Sequence, residues 1–201
     1  MYDFPKEEDY EGIPVTKIKR IKETFSDDDT YAVRWLKFQI KARYINNIII
    51  TNFPDEKEHS TTYTSLYQYT RDEKKRVPYS VMFLCRELIP PLYWHYNIKE
   101  DLPEATKYKR KYIRFTEDLL GKETLGHIKL NELLDTYGIK NFVEKFNINM
   151  SLAAVKNLIY KRKRPSGVYS FKNMPTYNTI EALKEFIKPD LWYIFPEELE
   201  N

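Results

Sequence analysis

From His127 onward the apolar residues recur three and four positions apart in short blocks, and each block is closed by a helix-stop signal. HIKLNELLDTYG sets Ile128, Leu130, Leu133, Leu134 and Tyr137 inward and ends at Gly138, a residue suited to a left-handed cap. IKNFVEKFN continues with Ile139, Phe142, Val143 and Phe146 on one face. After INMS, the segment LAAVKNLIY presents Leu152, Val155, Leu158 and Ile159 inward, with Ser151 as its N-cap. The pattern predicts three short helices with brief connections.

The third block runs directly into Lys161, Arg162, Lys163 and Arg164 and stops at Pro165-Ser166-Gly167. Charge over the whole chain is only +3, but residues 140–172 hold eight basic residues against Glu144 alone, a local net of +7. Phosphate neutralisation depends on such clusters and not on the total. Two basic residues would satisfy a helix dipole; four in a row with no acidic neighbour repel one another, which favours a polyanionic partner over a solvated helix end.

GKETLG, residues 121–126, holds two of the five glycines and marks the expected boundary between an N-terminal domain, 1–120, and a C-terminal domain, 127–201. Upstream, LPEATKYKRKYIRFTEDLLG reads as a helix with Pro103 in its first turn and Gly121 as its C-cap. Val33, Leu36, Ile40 and Tyr44 lie at helical spacing behind Asp27, Asp28 and Asp29, which read as acidic residues opening a helix. INNIIITNF and HSTTYTSLYQY favour strands, whereas VPYSVMFLCRELIPPLYWHY suits a buried helix ended by Pro90-Pro91. The expected fold is therefore mainly α, with an α or α+β N-terminal domain.

His59, His95 and His127 are far apart and no Cys/His spacing suits a metal. There is no phosphate-cradling glycine loop, no Gly-x-Ser-x-Gly elbow and no paired-carboxylate motif, so neither an enzyme nor a cofactor is expected. Cys85, in SVMFLC, reads as a small buried hydrophobe. Without a signal-peptide pattern at the start or a stretch long enough to span a bilayer, a reducing cytoplasm and no membrane contact are expected.

The block order resembles the lambda-repressor-like helix-turn-helix family over roughly residues 128–199. Gly138-Ile139 precedes helix two, Phe146-Asn147-Ile148 leads into the turn, Ser151, Val155 and Ile159 mark helix three, and KRKRPS follows it. NTIEALKEFI, with Ile180, Leu183, Phe186 and Ile187, matches the fourth helix, and KPDLWYIFPEEL the short fifth. Asn149 and Met150 lengthen the turn, and GVYSFKNMPTYN lengthens the passage to helix four into a loop or short hairpin.

The resemblance implies a five-helix helix-turn-helix domain that binds double-stranded DNA, with helix three as recognition helix, and regulation of transcription as its use. Nucleic-acid contacts then fall to Asn149, Ser151, Lys156, Asn157, Tyr160, Lys161, Arg162, Lys163 and Arg164. Lys156 carries donors for a guanine edge and Asn157 the donor and acceptor for adenine, Leu152 and Ala153 can touch only a thymine methyl, and the run after the helix meets phosphates. The N-terminal domain would supply a homodimer or partner contact. The alternative is a protein-interaction module, an inhibitor or adaptor of a nucleoprotein complex; a third reading is RNA binding through Tyr and Lys surfaces.

Overall fold

The computed structural model describes residues 5–42, 67–70, 77–84, 86, 89–104, 121–163, 169–171 and 174–199. The fold is mainly α. It divides into two compact units, one of Met1–Val77 with Leu84–Pro103 and one of Pro78–Phe83 with Glu104–Asn201.

In the first unit, α1 (Val15–Lys22) starts after Pro14 and α2 (Tyr31–Ala42) after Thr30, whose hydroxyl accepts the Val33 N–H at 3.3 Å. Ile21 and Phe38 close a small core with Tyr10, and Ile13, Ile18, Phe25, Trp35 and Ala42 pack around it. The Tyr10 and Phe38 rings meet edge to face with centroids 5.1 Å apart. Asp29 departs from its expected role, because it lies before the first turn of α2 and is buried. One carboxylate oxygen accepts from Lys37 Nζ at 2.7 Å and the other from the Ser26 N–H at 2.9 Å, so its charge is held by a paired cation and not by the helix dipole. A 3-10 helix, Pro91–Trp94, buries Leu92 and Trp94, and a single bridge joins Thr30 to Asn97.

The second unit contains α3 (Tyr79–Leu84) through Phe83, then α4 (Leu125–Tyr137), α5 (Ile139–Lys145), α6 (Leu152–Ile159) and α7 (Tyr177–Leu183). A two-stranded antiparallel hairpin, β1 (Lys161–Lys163) and β2 (Tyr169–Phe171), lies between α6 and α7. The stretch after residue 160 is thus not purely helical. The fifth α-helix is replaced by two 3-10 helices, Pro189–Tyr193 and Pro196–Glu198, each opened by a proline that fixes the first turn.

Leu130, Phe142, Val155, Ile180, Leu183, Ile187, Trp192 and Tyr193 are all buried in this unit. The break expected at residues 121–126 falls inside it. Thr124 is the N-cap of α4, and Gly126, in the first turn, lies against the Trp192 indole so closely that a Cβ would come within 2.5 Å of it. Residues expected in the N-terminal domain also belong here: the Tyr79 hydroxyl donates to the Trp192 carbonyl at 2.6 Å, and its ring stacks on Tyr193 with centroids 4.7 Å apart. The readings for Tyr44, residues 45–53, His59, Cys85, residues 105–120, Arg164 and Lys172 lie outside the described residues.

Candidate nucleic-acid interface

The candidate surface is built on α6, and the end of α5 sets where α6 begins. Asn147 takes a left-handed backbone, φ 49°, which asparagine tolerates better than other non-glycine residues. The Ile148 N–H donates to the Val143 carbonyl at 3.0 Å and the Asn147 N–H to Glu144 at 3.4 Å, the two reverse bonds of a Schellman stop. Ile148 is buried by that reversal, and Asn149 is left exposed in the six-residue connection 146–151. Phe142, Phe146 and Phe186 pack in mutual contact beneath the connection, with centroids 5.1 to 5.7 Å apart.

Ser151 then opens α6, its Oγ accepting the Ala154 N–H at 3.1 Å. The helix has two distinct sides. Val155 and Leu158 are buried, while Leu152 (38% exposed), Ala153, Lys156, Asn157 and Tyr160 (57% exposed) face solvent. Leu152, expected inward by its helical spacing, is instead on the outer side. Among the described residues, the Lys156 and Asn157 side chains have no hydrogen bond or ion pair.

At Tyr160 the backbone turns extended, and the basic run leaves as strand β1, not as a helix end. Lys161 pairs with Phe171, Arg162 with Ser170 and Lys163 with Tyr169 across the hairpin. The expectation that this run lacks an acidic neighbour is corrected. Lys161 Nζ lies 2.9 Å from Glu123 Oε1 and 4.8 Å from the Phe171 ring centroid, so its charge is partly engaged within the molecule. Both partners are partly exposed, and such a pair contributes about 1 kcal/mol or less.

The second strand is held through His127. Phe171 is buried and stacks on the imidazole at 4.0 Å, while Trp192 meets the same imidazole edge to face at 5.2 Å. His127 occupies the third position of α4 and completes a capping box: its Nδ1 accepts the Thr124 N–H at 3.2 Å, and the Thr124 hydroxyl accepts the His127 N–H at 3.4 Å. Its Nε2 is buried without a hydrogen-bond partner among the described residues. Burial, and next the nearby Lys161 cation, push its pKa down to about 3. His127 is therefore a neutral packing group at neutral pH.

The structure thus brings Ser151, Lys156, Asn157, Tyr160 and Lys161 onto one continuous stretch of helix and strand, with Arg162 and Lys163 in that strand and Asn149 in the preceding connection. Glu123, His127 and Phe171 shape this stretch and were not anticipated. Glu123 is 38 residues from its partner, so no local pattern announces it. His127 was legible as a variant of the Thr-x-x-Glu capping signature.

Among the described residues, no group of three or more His, Cys, Asp or Glu could hold a metal ion, and no helix is long and apolar enough to cross a membrane. No family model, curated protein or solved structure matches the chain.

Proposed function

We propose that the protein binds duplex DNA, with α5 and α6 acting as a helix-turn-helix pair in a lambda-repressor-like arrangement of the C-terminal unit and α6 entering the major groove. The observation that carries this reading is the two-sided character of α6. Val155 and Leu158 anchor one side in the core, and the other presents Lys156 and Asn157, which have no hydrogen-bond or ion-pair partner among the described residues. Those two side chains offer the donors and acceptors that base edges require. The cationic strand that follows carries Lys161, Arg162 and Lys163 along the same path, where they would meet phosphates and fix register. The first unit supplies a dimer or partner contact, and regulation of transcription is the use that suits such a protein. The proposed role is binding, with no catalytic step and no cofactor.

Titration of the full chain against random duplex DNA and single-stranded RNA, at several salt concentrations, tests the reading. Duplex binding that weakens steeply with salt supports it. Absence of duplex binding at low salt overturns it and moves the lead to the second reading, a protein-docking face. That alternative is favoured by one observation: Leu152 and Tyr160, two large hydrophobic residues, are both exposed beside Lys156 and Asn157.

A further inference from the structure

We infer that the exposed face of α6 selects thymine-bearing duplex DNA, and that the thymine 5-methyl group is what it recognises. This rests on the reading of α6 as a groove-entering helix and names what that helix would read.

A recognition helix meets base edges with its N-terminal residues. Here the first turn of the helix proper exposes Leu152 and Ala153, while Ser151 before it spends one lone pair of its Oγ on the Ala154 N–H. That turn therefore offers an apolar pair. Among the groups that base pairs display in the major groove, the apolar one is the thymine methyl. RNA lacks that methyl, and its deep, narrow major groove does not admit side chains.

Asn157 stands four residues after Ala153, about 6 Å further along the axis and on the same side. With bases spaced about 3.4 Å along each strand, that distance covers roughly two base-pair steps. Asparagine pairs in bidentate fashion with adenine N6 and N7, so the face fits a thymine and an adenine within about two steps of each other. Lys156 lies on the same exposed side, four residues after Leu152, and the net +7 of residues 140–172 matches a polyanion rather than an acid-free protein surface.

The test uses the full chain and two duplexes, one bearing thymine and the other identical except that deoxyuridine replaces every thymine, with single-stranded RNA as a third probe. Deoxyuridine keeps the base pair and removes only the methyl. Fluorescence anisotropy should show the thymine duplex bound roughly four- to fifteenfold more tightly, for one or two buried methyl groups. Leu152→Gln should collapse that ratio toward one, with an unchanged far-UV circular dichroism spectrum because the site is exposed. Equal affinity of the unaltered chain for both duplexes would overturn the inference while leaving a phosphate-driven DNA-binding reading in place. Preferential binding of the RNA overturns the inference as well. Binding of none of the three probes at low salt overturns both.

Discussion

The imidazole of His127 stacks on the Phe171 ring at 4.0 Å, and this contact ties strand β2 of the basic hairpin to the first turn of α4. Glu123, just before the Thr124 cap of that turn, reaches the other strand through Lys161. Both strands of the hairpin are thus fixed to one helix end, and the orientation of β1 depends on that end staying folded.

One consequence is a pH dependence of stability. The His127 pKa is held down at about 3, below the ordinary value of 6.5, so the folded state resists the proton that the unfolded chain accepts. Stability from this group is fully present above about pH 6.5, falls as pH drops through the interval between 6.5 and 3, and is lost below it. Urea unfolding from pH 7.5 to 5 should show that, toward pH 5, the unaltered chain takes up about one more proton on unfolding than His127→Gln, which keeps a capping side chain but cannot titrate. Parallel profiles for the two chains would show that the imidazole is solvated.

Gly126 and Trp192 give a steric prediction. Alanine improves helix propensity by about 1 kcal/mol over glycine. At Gly126 its methyl would come within 2.5 Å of the indole, and overpacking of this kind costs about 1–3 kcal/mol. Gly126→Ala should therefore lower the denaturation midpoint. A raised midpoint would mean that Trp192 is not held against the helix.

Tyr79 links a segment far upstream to the C-terminal unit. Tyr79→Phe removes the donor to the buried Trp192 carbonyl and should cost about 1–3 kcal/mol, and Tyr79→Ala, which also empties the stack on Tyr193, about 3–5 kcal/mol. A fragment beginning at residue 121 lacks this helix and should melt well below the full chain. If circular dichroism melts of the two coincide, α3 contributes nothing to the unit.

Within α6, Val155 and Lys156 separate packing from binding. Val155 is fully buried, so Val155→Asp should cost several kcal/mol or unfold the unit, and Lys156→Ala, at an exposed site, should change stability by about 0.5 kcal/mol or less. Chemical denaturation of both variants decides this. A neutral Val155→Asp would rotate the helix and with it the proposed face.

Periodicity and caps made α4, α5 and α6 legible in the sequence, because Gly138 and Ser151 act within their own turns. Three features were not legible, for the same physical reason: each is settled by a distant residue. Trp192 turns Gly126 from a linker glycine into a close-packing one, Lys37 makes Asp29 a buried partner, and pairing with residues 169–171 draws the basic run into a strand. The outward set on α6 could be read almost whole, since burial of Val155 and Leu158 leaves Lys156, Asn157 and Tyr160 outside; Leu152, expected inward, is exposed.

The salt dependence of duplex binding reports whether the basic run neutralises phosphates. Changing Lys161, Arg162, Lys163 and Arg164 together to Gln should flatten the slope of log K against log salt by roughly two to four units, each phosphate contact contributing about 0.9. The engagement of Lys161 by Glu123 leaves three freely available cations and places the expectation at about 2.7 instead of the roughly 3.6 of four full contacts. Affinity should fall alike for all sequences, and Asn157→Ala should alter sequence preference at an unchanged slope. A quadruple variant that binds duplex DNA with the slope of the unaltered chain would contradict the account.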